Sequence, residues 1–316
     1  MAVTQADAPA ELIHGGALEG TRRPLTQVIP AYFALMKPRI MSLLLITTLA
    51  SALIAARQHP LPAIDLWRVL IATWFGGVLA AGGAAALNCY IDRDIDVVMA
   101  RTRRRAIPAG VASPRDVLIF GLTLSALSLI VLGTLTTPTA AVLALAGNVF
   151  YVVVYTMWLK RSTTQNIVIG GVAGAFPPLV GWAAVTGGIA LPAVLLFIIV
   201  TYWTPAHFWS LALLLRGDYS RARVPMLPSV ATQLHARWQI LVYTLLVVVA
   251  SLLLYVAHAM GPIYLGGAAL LGLGFVGHAV VLYRYGSARL ARRTFMYSNY
   301  YLAALFIAMI VDRLVG

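Results

Sequence analysis

Charged side chains are scarce in this chain, where lysine, arginine, aspartate and glutamate together make up only 10% of 316 residues. A soluble domain carries about 25% charged residues, so the composition excludes an ordinary soluble protein. The single cysteine, Cys89, excludes an internal disulfide framework and a cysteine-rich metal site. Hydrophobic residues make up 61% of the chain. This composition predicts a polytopic membrane protein, large enough for one helical bundle.

Nine apolar segments follow one another along the chain, at about 38–56, 66–90, 115–135, 139–159, 165–185, 190–215, 238–258, 262–284 and 295–313. Most approach or exceed the roughly 20 residues that a helix needs to cross a bilayer. They predict an all-α fold with one transmembrane domain over residues 36–316. Residues 1–35 mix acidic residues with glycine and alanine and lack the compact apolar core of a signal peptide. We expect a loosely ordered cytoplasmic tail there.

The formal net charge of +13 is distributed unevenly once these segments are treated as membrane spans. Twenty of the 23 lysines and arginines fall on one side, and only Arg57, Arg68 and Arg313 fall on the other. By the positive-inside rule this predicts a cytoplasmic N-terminus and an external C-terminus. Because the tail is not poor in acidic residues, we expect the bacterial cytoplasmic (inner) membrane rather than a mitochondrion. The basic excess is therefore mostly topological, and nucleic acid is not expected as a partner.

A charged block follows the second span. Asn88, Asp92 and Asp96 are spaced by four residues and would lie on one face of a helix. Two carboxylates and an amide oxygen one turn apart suit a hard cation such as Mg²⁺. The basic residues of the block, which suit phosphate oxygens, include Arg93, Arg101 and Arg105. The block predicts a diphosphate–Mg²⁺ clamp at the membrane surface, the alternative being a solvated helix end with internal charge pairs.

A second charged loop follows the sixth span on the same side. Asp218 lies there between Arg216 and Arg221, and we expect it to complete a second Mg²⁺ site. The alternative is an ordinary surface ion pair worth about 0–1 kcal/mol. Tyr219 is expected to donate a hydrogen bond to a phosphate, or else to be an interfacial aromatic residue. Each charged loop follows the second helix of a four-helix stretch, which predicts two parallel four-helix halves plus a ninth helix.

Basic residues at the ends of two further spans lie on the same side, and they are Lys37, Arg39, Lys160 and Arg161. They are candidates for contact with a diphosphate, although topological anchoring explains them equally well. His207 lies among aromatic residues inside the sixth span, about 12 Å below the surface at 1.5 Å per residue. It could hold an aromatic acceptor, ligate a haem iron or steer a proton. The alternative is a hydrogen bond to a carbonyl freed by Pro205.

These motifs resemble those of the UbiA-type membrane prenyltransferases and, within that family, the branch that acts on haem. The resemblance rests on Lys37-Pro-Arg39, Asn88-x-Tyr90-Ile-Asp92-Arg-Asp94-Ile-Asp96, Tyr155-Thr-x-Trp158-Leu-Lys160-Arg161, Trp203-Thr-Pro-x-His207-Phe-Trp209, Asp218-Tyr219 and Pro225-Met-Leu-Pro228. The chain departs from the wider family at Ala222, where many members carry a second aspartate. This departure bears on the ligand set of any second metal.

The resemblance implies nine helices around a central cavity and transfer of a farnesyl group from farnesyl diphosphate to the 2-vinyl group of haem B. Water adds during that reaction, and haem O and diphosphate leave. The expected catalytic residues are Asp92, Asp96, Asp218 and His207, and the expected Mg²⁺ ligands are Asn88, Asp92, Asp96 and Asp218. Membrane lipid surrounds the enzyme, and a haem A synthase or a haem-copper oxidase assembly is the expected downstream partner. The alternatives are another acceptor, either a quinone precursor or a chlorin, or a membrane transporter of an anionic metabolite.

Overall fold

The structure is a computed structural model that describes residues 24–315, which form helices and connecting turns without a β-strand. In chain order the helices are α1 (Leu25–Leu35), α2 (Pro38–Gln58), α3 (Ala63–Ile91), α4 (Arg93–Val98), α5 (Pro114–Leu135), α6 (Pro138–Ser162), α7 (Asn166–Thr186), α8 (Leu191–Leu214), α9 (Arg216–Arg221), α10 (Leu227–Val230), α11 (Gln233–Val256), α12 (Pro262–Tyr285) and α13 (Ala288–Val315). Nine of them are long and apolar enough to span a membrane, and they are α2, α3, α5, α6, α7, α8, α11, α12 and α13. The predicted all-α membrane bundle is confirmed.

The helices extend beyond the apolar segments where polar residues continue or cap them. The seventh span begins at Gln233 rather than 238, because the Thr232 side chain accepts a hydrogen bond from the His235 backbone N–H and caps the helix. The ninth span begins at Ala288 rather than 295. Apolar patterning marks the part of a helix that lies in lipid, whereas capping marks where the helix starts.

The expected tail differs from the structure over Leu25–Leu35, which form a helix, while residues 1–23 lie outside the described part. Leu35 is buried beside Cys89, and the Tyr32 ring meets the Phe120 ring edge-on at 5.0 Å. Ile29 remains 64% exposed. A short helix with one packed side and exposed apolar residues is typical of an interfacial membrane helix. It leads directly into Lys37, which has a left-handed backbone with φ of 55°.

The helix pairings repeat in the two halves. The second span of each half packs most extensively on the third, as α3 on α5 and α8 on α11. The final helix α13 contacts α12, α8 and α2, so it joins the end of the bundle to its beginning. These equivalent pairings agree with the predicted two four-helix halves plus one.

Two spanning helices change their helical form toward the end of the bundle that carries the charged loops. Phe150–Leu159 of α6 is a π-helix, and Gly171–Ala175 of α7 is a 3₁₀-helix. A Cβ added at Gly171 would lie 2.7 Å from Thr204 of α8, so the glycine permits this close approach. Irregular helical turns of this kind often occur at functional sites because they redirect side chains.

Asp312 of α13 caps the opposite end of the bundle. Its buried carboxylate accepts hydrogen bonds from the backbone N–H groups of Gly261 at 2.6 Å and Tyr264 at 2.9 Å. These groups lie at the start of α12, where the helix dipole favours a negative charge. We expect Asp312→Ala to lower the free energy of unfolding by about 1–2 kcal/mol, as for the loss of an N-cap.

Thermal unfolding in detergent micelles measures this effect. The matched control is Asp65→Ala, which removes a carboxylate from an exposed pair with Arg68 one turn away. We expect a change of at most about 0.5 kcal/mol for the control. Equal melting temperatures for the two variants would contradict the capping role of Asp312.

Candidate functional site at the end of the bundle with the charged loops

Three of the predicted metal ligands lie together where α3 meets α4. Asn88, Asp92 and Asp96 are 3%, 0% and 2% exposed. The Asp92 N–H donates to the Asn88 carbonyl at 2.9 Å, and the Asp96 N–H donates to the Asp92 carbonyl at 2.8 Å. The helical hydrogen-bond pattern therefore runs through the junction and keeps the three side chains on one face. We call these three residues the acidic cluster.

Cationic side chains from three other segments meet the acidic cluster. Arg105 donates from one nitrogen to both carboxylate oxygens of Asp96 at 2.8 Å. Lys160, at the end of α6, forms an ion pair with Asp92. Lys37 donates to the Asn88 side-chain oxygen at 2.6 Å. Since buried carboxylates need charge compensation, these contacts explain how two aspartates remain buried beside the bilayer.

One oxygen of the acidic cluster has no hydrogen-bond partner. Within the described residues Asp92 Oδ1 is buried and accepts no hydrogen bond, and the Arg161 guanidinium lies 3.6 Å from it, within ion-pair distance but beyond hydrogen-bond distance. The other Asp92 oxygen accepts from the Asn88 amide at 2.7 Å. A buried carboxylate oxygen without a partner is costly, and it is the kind of hard donor that Mg²⁺ uses. The residues present therefore fit a Mg²⁺ ion.

Thr156 is a site residue that sequence reasoning did not single out. It is fully buried in the π-helical part of α6, and its hydroxyl accepts from the Asn88 amide at 3.2 Å. The Thr156 hydroxyl in turn donates a hydrogen bond to the backbone carbonyl of Tyr151, five residues earlier, with an oxygen–oxygen distance of 2.8 Å. The sequence signals were its place in the motif that runs from Tyr155 to Arg161 and its four-residue spacing from Lys160, which places both residues on one side of a helix.

Asp94 points away from the acidic cluster. Its carboxylate is 60% exposed and pairs with Arg161 at 2.7 and 2.8 Å. This hydrogen bonding to Arg161 lowers the pKa of Asp94 to about 2. Arg93 lies over the Tyr90 ring, with its guanidinium carbon 4.7 Å from the ring centre. A shallow surface cavity of about 320 Å³ opens to solvent in this region and is lined by Ile91, Arg93, Asp94, Met157 and Arg161.

The second charged loop approaches the first through Tyr219 rather than through Asp218. Tyr219 is 3% exposed. Burial raises its pKa, and the guanidinium groups of Arg101 and Arg105 oppose that rise. Asp218 forms an ion pair with Arg221, one turn further along α9. Tyr219 therefore lies near arginines of the first loop, and its contact with a phosphate stays a prediction.

Asp218 is the expected ligand of a second Mg²⁺ ion and lies in the other charged loop. Within residues 24–315, no three Asp, Glu, His or Cys side chains are grouped closely enough to hold one metal ion. Asp218 forms an ion pair with Arg221, although its own side chain is only 11% exposed, and its role as a metal ligand stays a prediction. Arg39 and Arg216 are exposed, and neither forms an ion pair within the described part of the chain. Their contact with substrate stays a prediction.

His207 lies in α8 against α13. Its Nδ1 is 2.8 Å from the Ser298 hydroxyl, and its ring stacks on the Trp203 indole with 4.2 Å between ring centres. The Phe295 ring centre lies 4.7 Å away. The carbonyl freed by Pro205 is therefore not its hydrogen-bond partner, and the side chain that holds the histidine comes from the ninth span.

Within residues 24–315, nine helices long and apolar enough to span a membrane form a bundle that carries buried carboxylates and cationic side chains at one end. The model of the UbiA prenyltransferase family matches residues 44–308. The chain belongs to this family, and the sequence-based assignment to it is confirmed.

Several curated relatives share about half of the sequence. A protoheme IX farnesyltransferase of Symbiobacterium thermophilum is 49% identical over 90% of this chain and 95% of its own length. One from Gloeobacter violaceus is 50% identical over 91% of this chain and 93% of its own length. One from Chloroflexus aurantiacus is 53% identical over 91% of this chain, which spans only 48% of that relative. The predicted resemblance to the haem-modifying branch is confirmed by these relatives.

Solved structures show the same fold at low sequence identity. A digeranylgeranylglyceryl phosphate synthase has a TM-score of 0.74 and 18% identity, covering 92% of this chain and all of that one. A UbiA homolog from Archaeoglobus fulgidus bound to DMAPP and Mg²⁺ has a TM-score of 0.62 and 13% identity, with 88% and 98% coverage. These likenesses establish the membrane prenyltransferase fold.

Proposed function

We propose that this chain is a haem O synthase, which transfers a farnesyl group from farnesyl diphosphate to the 2-vinyl group of haem B. Water is added during the reaction, and haem O and diphosphate are released. The observation that carries the proposal is the buried acidic cluster with its unpaired Asp92 oxygen, surrounded by cationic side chains. The protoheme IX farnesyltransferase relatives support haem B as the acceptor rather than a quinone precursor or a chlorin.

The acidic cluster would hold Mg²⁺ through Asp92, Asp96 and the Asn88 side-chain oxygen. When bound, the ion supplies positive charge that neutralises a leaving diphosphate. Lys160, Arg105 and Lys37 now neutralise or contact the same three side chains. In the proposed reaction they turn toward the diphosphate oxygens, and fixed guanidinium and ammonium groups then stabilise the charge that develops there.

The second loop would close the anion site from the other half of the bundle. The Tyr219 hydroxyl faces Arg101 and Arg105, so it is placed to donate a hydrogen bond to a phosphate held by those arginines. Asp218, with its neighbour Arg221, is proposed as a ligand of a second ion. Arg93 and Arg161 line the shallow surface cavity and are proposed to guide the anion to the site.

The apolar parts of both substrates would lie among the spanning helices, in the predicted central cavity. Lipid is already apolar, so burying the farnesyl chain adds little affinity, and the diphosphate contacts determine binding. The farnesyl cation must be protected from stray water until the vinyl carbon attacks it. Aromatic residues of α8, such as Trp203, are placed to stabilise positive charge there.

The chain is a multi-pass membrane protein by its nine spanning helices. We propose the bacterial inner membrane as its location, with the N-terminus cytoplasmic, because the basic residues concentrate at the end that carries both charged loops. A haem A-forming enzyme or a haem-copper oxidase assembly is proposed to receive the product. A transporter is not favoured, since both charged loops lie at one surface rather than at mid-bilayer.

A product-mass assay tests the activity. The purified chain in lipid nanodiscs is mixed with haem B, farnesyl diphosphate and Mg²⁺, and the porphyrin products are separated and weighed by mass spectrometry. We expect haem O, with diphosphate released in equal amount. Farnesylation of an added quinone precursor or chlorin, but not of haem B, would assign the enzyme to another acceptor. Uptake of an anion into liposomes without diphosphate release would favour the transporter.

A further inference from the structure

The hydrogen bonds of Ser298 favour one tautomer of His207. The Ser298 hydroxyl lies 2.6 Å from the Phe295 carbonyl and 2.8 Å from His207 Nδ1. The contact with the Phe295 carbonyl is the shorter of the two, so we assign the hydroxyl proton to it, and the hydroxyl oxygen then accepts from Nδ1–H. The imidazole therefore carries its proton on Nδ1 and leaves a free electron pair on Nε2.

The plane of the ring is also fixed. Trp203 stacks on it at an interplanar angle of 19°, and the Trp203 indole N–H donates to the Ser298 carbonyl at 2.8 Å. Ser298 is fully buried, so its hydroxyl and carbonyl hold the two stacked rings from one point on α13. Within residues 24–315, His207 forms no hydrogen bond through Nε2 and no ion pair.

These contacts favour a metal ligand over a general base. A base at Nε2 would become an imidazolium within the spanning helices, where none of the described carboxylates pairs with it, and such a charge is costly. A neutral imidazole with its other N–H hydrogen-bonded is the form that binds a metal. We propose, resting on the proposed function, that Nε2 of His207 is an axial ligand of the haem iron, with Ser298 as its positioning residue.

Spectroscopy of bound porphyrin separates this role from packing. The full chain in lipid nanodiscs is titrated with iron protoporphyrin IX and with metal-free protoporphyrin IX, and electron paramagnetic resonance reports the iron ligand. We expect His207→Ala to lose the nitrogen-ligand signature and to bind iron porphyrin at least 10-fold more weakly, while metal-free porphyrin binds as in the wild type. Added imidazole should restore the signature.

Ser298→Ala keeps the ligand but frees its ring, and we expect iron porphyrin to bind about 10-fold more weakly, the size of loss typical for an outer-shell partner of a metal ligand. Metal-free porphyrin should bind unchanged. The matched control is Ser210→Ala, which removes a buried hydroxyl of α8 that bonds only to the carbonyl of Ala206 in its own helix, at 2.7 Å. Wild-type affinity and spectrum are expected for it.

An unchanged iron signature in His207→Ala would overturn the ligand assignment. Equal weakening of iron and metal-free porphyrin in both variants would also overturn it, because that result indicates packing alone. If haem O forms in the product-mass assay but the electron paramagnetic resonance signature of the iron is the same in His207→Ala and the wild type, only this inference fails. If the wild type neither binds porphyrin nor makes haem O, the proposed function fails with it.

Discussion

Replacing Asp92 with asparagine is expected to lower farnesyl transfer on the order of 10³-fold, the upper range for losing one preorganised electrostatic group at a reacting charge. The substitution keeps the size of the side chain but removes its charge. Asp92 is fully buried, contacts Asn88 and Lys160, and carries the unpaired oxygen that suits a metal. The haem O yield per minute in the product-mass assay measures the effect.

The chain offers a matched control for this substitution two residues further on. Asp94→Asn removes a carboxylate from the same segment, but that carboxylate is 60% exposed and pairs with Arg161. We expect its rate to fall by less than about 5-fold, in line with the small contribution of exposed ion pairs. Similar rates for the two variants would show that Asp92 is not part of the diphosphate–Mg²⁺ clamp. Binding of iron protoporphyrin IX should stay normal in both, which shows that each variant is folded.

The second large effect is expected at Gly181, in the interface between α7 and α2. A Cβ at this position would overlap the backbone carbonyl oxygen of Thr48 and lie 3.2 Å from the Ala52 nitrogen. The two helices would have to separate, which would also stretch the hydrogen bond of 2.7 Å from the Ser51 hydroxyl to the Pro178 carbonyl. We expect Gly181→Ala to destabilise the fold by about 3 kcal/mol, at the upper end for overpacking.

Thermal unfolding in detergent, together with the yield of monodisperse protein, checks this expectation. Gly277→Ala in α12 is the control, since no atom lies within 4 Å of a Cβ placed there. It should leave stability unchanged or raise it by up to about 1 kcal/mol, because alanine is the better helix former. A Gly181→Ala protein as stable as the Gly277→Ala protein would contradict the close helix contact.

The sequence was sufficient for the features that depend on local pattern. Spans are set by runs of apolar residues, so all nine were predicted, with boundary errors where polar residues continue a helix or cap it, as at Thr232. The stacking of Asn88, Asp92 and Asp96 follows from helical periodicity, and the structure keeps it. The family followed from motifs that combine these local patterns.

Contacts between distant segments were beyond the reach of sequence periodicity. Thr156 meets Asn88 because α6 becomes a π-helix, and nothing in an apolar run reveals that change. Ser298 meets His207 across 91 positions of the chain. In each case tertiary packing decides the partner.

The ion pairs that cover the acidic cluster have a consequence for the order of events in the proposed enzyme. Lys160 pairs with Asp92 and Arg105 pairs with Asp96, so a divalent ion that binds both carboxylates competes with an ammonium and a guanidinium group. A prenyl diphosphate offers those displaced cations a new partner. Occupancy by ion and by anion is then thermodynamically linked, and each raises the affinity for the other by the same factor. Mg²⁺ would then bind to the acidic cluster together with the prenyl diphosphate rather than before it.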